Sequence, residues 1–308
     1  RTMCFKSDGL DLNDWQNRLS KGEKASMPLF LEKILSLNLR NAIFVDNTAS
    51  ELVANTYADY LSKSISVVTC NKIACAAAYP NYKRLKDLAR TYNASFLFET
   101  NVGAGLPIID TLKNLVASGD EIKEIQAVLS GSLNFVFNHF NDQTTFHDVV
   151  KQAQEEGYTE PDPTIDLSGI DVMRKILILA RESGHVMEIN DIENNSFLPS
   201  ESLETSSNEA FFDSLIKYES DFQTMYQKAY AKGAKLKYVA SFKDGKASVG
   251  LQEIPQGHDF YALEGSDNIV LFYTERYPNQ PMIIKGAGAG AAVTASGIFA
   301  DIIRVGNF

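Results

Sequence analysis

The sequence predicts an α/β protein, with a parallel sheet near the N-terminus and an α+β region after it. Three observations predict it. Short apolar runs at 41–48, 65–69 and 95–99 alternate with helix-patterned segments, which is the spacing of βαβ units. Past residue 230 the pattern changes to four runs at 236–242, 247–253, 269–274 and 282–285. The first two are joined by Lys243-Asp244-Gly245-Lys246, whose Asp-Gly pair marks a hairpin. The chain's 308 residues suffice for two domains and a sizeable core.

Taken in order, the first forty residues are helical and polar. Asp11-Leu12-Asn13-Asp14-Trp15 opens one helix and Pro28 stands at the start of another. Asn41-Ala42-Ile43-Phe44-Val45-Asp46-Asn47-Thr48 is an apolar run ended by small polar residues, as a buried parallel strand requires. A helix follows over 51–62, a strand over 65–69, a helix over 79–92 and a strand over 95–99. Val102-Gly103-Ala104-Gly105-Leu106-Pro107 is a tight loop before a helix. A strand covers 122–129, and Ser130-Gly131-Ser132 leads into the next helix. Thr145-Phe146-His147-Asp148 resembles a capping box, and Gly157 stops the helix it starts. Ile170, Met173, Ile176, Leu177 and Ala180 form one apolar helical face. A long helical stretch runs over 208–232. The chain closes with Gly286-Ala287-Gly288-Ala289-Gly290 and a last helix to about residue 303.

Composition excludes several classes. The chain is 44% hydrophobic and 22% charged, with a net charge of −10, and neither Lys nor Arg clusters. That argues against nucleic acid and anionic membrane as partners. No apolar run approaches a membrane span, and Arg1 to Asp8 carry no signal-peptide pattern, so a cytoplasmic protein is expected. Cys4, Cys70 and Cys75 make a poor disulfide framework, and an odd count fits a reducing compartment. His139, His147, His185 and His258 lack metal-ligand spacing.

The chemistry concentrates in Gly157-Tyr158-Thr159-Glu160-Pro161-Asp162-Pro163, continuing through Asp166 and Asp171 to Lys175. Pro161 and Pro163 lack N–H groups and hold the preceding residues extended. Carboxylates on a stiff loop, before a helix bearing Asp and Lys, suit a site that grips an ammonium group and moves a proton. Alone, the segment reads equally as a solvated acidic loop followed by an i,i+4 surface pair. Loops after Val45, Val68 and Phe98 lie at strand carboxyl ends, where open α/β sheets bind ligands. They carry Thr48, Lys72 and Glu99. Glu99 and the 102–106 backbone offer oxygen ligands of the kind hard cations take, or a glycine-rich turn that only packs closely. No GxGxxG fingerprint opens the chain: the glycines before residue 100 are Gly9 and Gly22.

Together these pieces resemble homoserine dehydrogenase, and most closely the C-terminal half of bifunctional aspartokinase–homoserine dehydrogenase. The matching segments are Val67-Val68-Thr69-Cys70-Asn71-Lys72, Thr100-Asn101-Val102-Gly103-Ala104-Gly105-Leu106-Pro107, Leu129-Ser130-Gly131-Ser132-Leu133, Gly157 to Asp171 with Val172-Met173-Arg174-Lys175, and the closing Gly-Ala-Gly with Val293-Thr294-Ala295. The likeness runs from about Asn41 onward. It implies a Rossmann-like parallel sheet, incomplete here, plus an α+β catalytic and dimerisation domain. The division it implies is 1–102, completed by 286–308, as the remainder of a nucleotide-binding domain, and 103–285 as the second domain. It implies interconversion of L-homoserine and L-aspartate 4-semialdehyde with NADP or NAD, in threonine and methionine biosynthesis, by a homodimer or higher homo-oligomer.

By resemblance Lys175 is the proton donor, and Lys72 stands beside the cofactor and the reacting oxygen. Glu160 and Asp171 hold the substrate ammonium, with Asp166 in support. Thr48, Lys72, Gly157 and Gly288 or Gly290 line the cofactor. Glu99, with the carbonyls of Val102, Ala104 and Leu106, binds a monovalent cation such as sodium. The chain departs from the family in three ways. The opening strand–glycine loop–helix is not found, so the sequence reads as starting after the first βαβ unit, and a catalytically silent dimerisation module of a larger chain is the alternative. Cys70 stands where the family usually has proline, and Ile73 replaces a common second lysine, which removes a charge that favours NADP.

Overall fold

In a computed structural model, residues 2–307 are described, and they fall into two compact units. Of the described residues, the first comprises 2–74, 80–98 and 300–307, and the second 75–79 and 99–299.

The first unit contains a short antiparallel pair, β1 (Thr2–Met3) and β2 (Glu23–Lys24). Its main sheet is parallel, in the order β3 (Ile43–Asp46), β4 (Ser66–Thr69), β5 (Phe96–Leu97). β4 is buried along its whole length, as a central parallel strand covered on both faces must be. Phe44 stacks on Tyr60 at 4.0 Å, and Tyr57 meets Phe96 edge-on at 6.0 Å. The helix expected over 51–62 is two short ones, Glu51–Ala54 and Tyr57–Leu61. The break lets both Tyr57 and Tyr60 turn inward onto Phe44. The strand expected over 95–99 shrinks to two residues, because Glu99 enters a 3₁₀ turn.

The second unit is built on a six-stranded sheet. Its strands are β6 (Ile122–Val128), β7 (Ile192–Asn195), β8 (Lys235–Lys243), β9 (Lys246–Ile254), β10 (Asp267–Thr274) and β11 (Met282–Ala287). Their order is β11-β10-β6-β8-β9-β7. The four strands expected after residue 230 pair antiparallel, and β6, expected as a strand, joins them antiparallel between β10 and β8, but β7 was not foreseen and pairs parallel to β9. Its sequence, Ile-Glu-Asn-Asn, has a single apolar residue and lies at the sheet edge. The β8–β9 turn holds Asp244 at φ +50° and Gly245 at φ +75°, the hairpin geometry the Asp-Gly pair foretold. The stretch 208–232 is two helices, Asn208–Lys217 and Glu219–Ala231. They part where the Glu219 carboxylate turns to accept the Phe146 N–H at 2.9 Å.

Behind this sheet lies a buried cation. Lys237 on β8 is 0% exposed, and its Nζ donates to Asn134 Oδ1 (3.0 Å), Asn138 Oδ1 (2.5 Å) and the Leu263 carbonyl (2.5 Å). The two asparagines in turn donate to the Gly265 carbonyl, and Asn134 also to that of Asp267. The lysine thereby ties the Gly131–His139 helix to the loop entering β10. Burial lowers its pKa to about 8, with Lys235 adding to the shift. Replacing Lys237 with Met strands three acceptors and is expected to cost about 1–3 kcal/mol at neutral pH. A lysine depressed in the fold contributes stability that is present above its ordinary 10.5 and lost as pH falls through about 8. The gap between wild type and Lys237→Met, read by urea unfolding, should therefore widen from pH 7.5 to pH 9.5. A constant gap would show that the lysine titrates normally.

Candidate active site

In the first unit, the ends of β3 and β4 are joined by one buried carboxylate. Asp46 is 1% exposed. Its Oδ2 accepts the Tyr57 hydroxyl at 2.5 Å and Asn71 Nδ2 at 3.1 Å, and its Oδ1 accepts the Thr48 N–H at 2.8 Å. Thr69 Oγ1 lies 2.8 Å from the same hydroxyl and accepts the Asn71 N–H at 2.8 Å. Asn71 also donates to the Ser50 carbonyl and accepts the Ile73 N–H. A carboxylate out of water must be satisfied in this way. The effect is to shape both strand-end loops, the one carrying Thr48 and the one carrying Lys72. Sequence reasoning chose Thr48 and Lys72 but missed Asp46, Tyr57 and Asn71. The available signal was a lone Asp closing an apolar run. The Cys70 thiol is pushed up by burial and then by Asp46.

In the second unit, β6 ends at Val128 and the next residue presents its carbonyl to two donors. Leu129 O accepts Lys175 Nζ at 2.6 Å and Asn268 Nδ2 at 3.3 Å. Lys175 also pairs with Asp171 Oδ2 at 2.8 Å, one turn earlier on the Ile170–Glu182 helix, and its side chain is 12% exposed. The i,i+4 pair the sequence allowed does form, but around a largely buried ammonium. Asp171 stands in the helix's first turn, where the backbone dipole favours a negative charge.

Asp166 holds the preceding loop. Its Oδ2 accepts the Glu160 N–H at 2.8 Å, and its Oδ1 accepts the Ser132 hydroxyl at 3.1 Å. Ser132 lies 3.0 Å from Ser130, which caps the Gly131–His139 helix through the Leu133 N–H. Burial raises the Asp166 pKa. The Tyr158 ring stacks on Phe135 at 4.1 Å, so the loop is pinned at both ends, while the Glu160 side chain stays exposed. Gly157, at φ +78°, lies on the surface before it.

Glu99 is buried, and its two oxygens accept the Ile109 and Asp110 N–H groups at 2.7 and 2.8 Å, at the start of the Ile108–Ala117 helix. Burial, reinforced by Asp110, pushes its pKa up to about 8. The Val102–Leu106 loop turns sharply beside it: Ala104 has φ +52°, and the Leu106 carbonyl already accepts the Ile108 N–H at 2.8 Å. This loop packs on the start of the Ala291–Gly306 helix too closely for side chains. A Cβ on Gly105 would lie 2.6 Å from the Val293 carbonyl, and one on Gly297 2.6 Å from Thr100 Cγ2. Of the closing glycines, Gly288 is buried against Asn268, whereas Gly290 is exposed. Among the described residues no group of three or more His, Cys, Asp and Glu side chains could hold a metal ion, and no helix is long and apolar enough to cross a membrane.

The structure thus gathers Lys175 and Asn268 on one carbonyl, pairs Asp171 with that lysine, ties Glu160 to Asp166, and sets Glu99 against its loop. Thr48 and Lys72 belong to the other unit, on loops that the Asp46 network shapes. If Asp166 sets the loop geometry, Asp166→Ala should raise amide hydrogen exchange across 157–163 at least tenfold, with the Ile170–Glu182 helix still protected. Unchanged exchange in the loop would deny Asp166 that role.

Comparison with known proteins matches residues 107–303 to the family model "Homoserine dehydrogenase" and residues 3–99 to "Homoserine dehydrogenase, NAD binding domain". The chain is 41% identical over 312 residues to the maize chloroplastic bifunctional aspartokinase/homoserine dehydrogenase 1, covering 100% of this chain and 34% of that protein. It therefore spans about a third of such bifunctional relatives. It is 39% identical to the homoserine dehydrogenase of Schizosaccharomyces pombe, covering 96% of this chain and 81% of that protein. Among solved structures, a Candida auris protein of unknown function superposes with a TM-score of 0.92 at 36% identity, over 98% of this chain and 87% of that one. A hyperthermophilic archaeal homoserine dehydrogenase in complex with NADPH gives 0.72 at 27% identity, over 96% and 81%.

Proposed function

The chain belongs to the homoserine dehydrogenase family, and on that premise we propose that it interconverts L-homoserine and L-aspartate 4-semialdehyde with NADP or NAD. The observation that carries the reading is the Lys175 ammonium, held by Asp171 and the Leu129 carbonyl at a strand end. An N–H donor fixed in a partly water-excluded place suits an oxygen on which negative charge develops.

When bound, NADP(H) or NAD(H) would supply the hydride that the aldehyde carbon accepts in the reducing direction. The carbonyl oxygen takes the electron pair of its π bond and, as it becomes an alkoxide, takes a proton from Lys175 Nζ. In the oxidising direction Lys175 takes that proton back. General acid catalysis of this kind contributes roughly 10²–10⁴-fold. Glu160 and Asp171 bind the substrate ammonium by charge-assisted hydrogen bonds, and Asp166 keeps the Glu160 backbone in place. On the cofactor side we assign Thr48 and Lys72 in the first unit and, in the second taken by itself, Gly157 and Gly288. The fit there rests on the Asp46 network, which shapes a loop of small residues after β3. We place the protein in the cytoplasm, which suits its unbridged cysteines, and in a homodimer or larger homo-oligomer, for which the β11 sheet edge, with Ile283 exposed, is the surface to test.

Glu99 is assigned to a monovalent cation, with carbonyl oxygens of Val102, Ala104 and Leu106 completing the set. A buried carboxylate whose ionisation is opposed by burial gains most from a cation beside it.

Lys175→Ala is expected to lower kcat for homoserine oxidation by about 10²–10⁴-fold while NADPH binding, followed by fluorescence, stays within about twofold. Normal turnover in that variant would remove Lys175 from the mechanism. The cation assignment predicts a pH dependence of defined sign. A carboxylate raised in the fold contributes stability that is full below its ordinary 4.5 and lost as pH rises through about 8. The cation offsets that loss, so the rise in Tm on replacing choline with sodium should grow from pH 6.5 to pH 9 and vanish in Glu99→Gln. A sodium effect that is flat with pH, or survives in Glu99→Gln, would place the ion elsewhere.

A further inference from the structure

Asn268 is a buried polar residue that the proposed chemistry does not use. It opens the second position of β10, opposite Gly286 on β11. It is 1% exposed, yet its Oδ1 is buried without a hydrogen-bond partner among the described residues. Its Nδ2 donates to the Leu129 carbonyl, the oxygen that also accepts Lys175 Nζ. On its other side a Cβ built on Gly288 would overlap the amide. An unpartnered buried acceptor opposes folding, because the group has lost water and gained nothing. An apolar side chain of the same shape would avoid that cost. A polar group kept in such a place therefore needs a reason, and the structure offers one in the carbonyl it grips.

We propose that Asn268 is a positioning residue for Lys175: by donating to the Leu129 carbonyl it fixes the oxygen on which the Lys175 ammonium is aimed. A carbonyl following the last residue of a strand has no ladder partner to hold its direction. With one donor it swings with the lysine that it is supposed to orient. With a second donor on a rigid neighbouring strand it becomes a fixed point, and Asp171 supplies the other fixed point of the ammonium. Preorganisation of this kind matters to the transition state more than to binding, since a small misplacement of the donor lowers the rate without loosening the ligand. The backing that makes β10 rigid here is the Lys237 network, which holds the carbonyls of Gly265 and Asp267 just before Asn268.

This inference rests on the assignment of Lys175 as proton donor, and the test separates the two. Asn268→Leu removes the donor and the unpartnered oxygen together at nearly constant shape. It should fold with a Tm equal to or above wild type, lower kcat for homoserine oxidation about tenfold, and leave the NADPH Kd within twofold. In a Lys175→Ala background the same substitution should lower the residual rate less than twofold, because its route through the lysine is already gone. Unchanged kcat, a further tenfold loss in the Lys175→Ala background, or an NADPH Kd weakened along with the rate would overturn the proposal, the last pointing to an effect through Gly288. Should Asn268→Leu fail to fold, Asn268→Ala is carried through the same measurements. A crystal structure of the folded variant decides the point without activity: Lys175 Nζ displaced from Leu129 O supports the proposal, and the contact retained in place sinks it. Wild-type protein that does not oxidise homoserine at all would count against the homoserine dehydrogenase reading, while that structure would still judge Asn268.

Discussion

The carbonyl of Leu129 is the point on which the second unit is organised. It follows the last residue of β6, one of the two central strands of the six-stranded sheet, and it takes hydrogen bonds from a helix lysine and a neighbouring-strand asparagine. Three elements distant in sequence thus share one oxygen. The next residue, Ser130, caps the following helix, and Ser132 two residues on reaches Asp166 and, through it, the Glu160 backbone. From one strand end the polar contacts therefore spread to every acidic residue of the proposed substrate site.

The first unit uses a different device for the same purpose. There the strand ends are held by a buried carboxylate. Asp46 binds a tyrosine, an asparagine and a backbone N–H, and both loops take their shape from it. An acid in this position is costly unless each lone pair is met, so the network is satisfied as a whole or weakened as a whole. That makes the Thr48 and Lys72 loops cooperative, although neither side chain supplies the tie and Thr48 contributes only its backbone N–H.

Much of this was legible in the chain. The alternation of apolar runs and helical patterns located β3 and β4, the Asp-Gly turn located the β8–β9 hairpin, and the spacing from Asp171 to Lys175 placed both on one helix face. The 157–163 loop was legible as non-helical because two prolines forbid the alternative. What could not be read were contacts that depend on packing. The Leu129 carbonyl meets Lys175 from 46 residues away and Asn268 from 139, and no local pattern marks a backbone oxygen as an anchor. Lys237 is one of three lysines on β8, with Lys235 and Lys243 at its ends, so the pattern gave no sign that this one turns inward. β7 escaped notice because an edge strand with one apolar residue carries no period. The 51–62 and 208–232 helices were each read as one because periodicity continues across a break when the tertiary contacts, not the local sequence, cause it.

The measurement that tests the account most directly is reduction of NADP⁺ and of NAD⁺ by this polypeptide, followed by absorbance, with and without L-homoserine. The account predicts homoserine-dependent reduction with at least one of the two cofactors, and none with an analogue lacking the amino group that Glu160 and Asp171 are assigned to hold. A folded protein that reduces neither cofactor in the presence of homoserine, or one indifferent to the amino group, would contradict it.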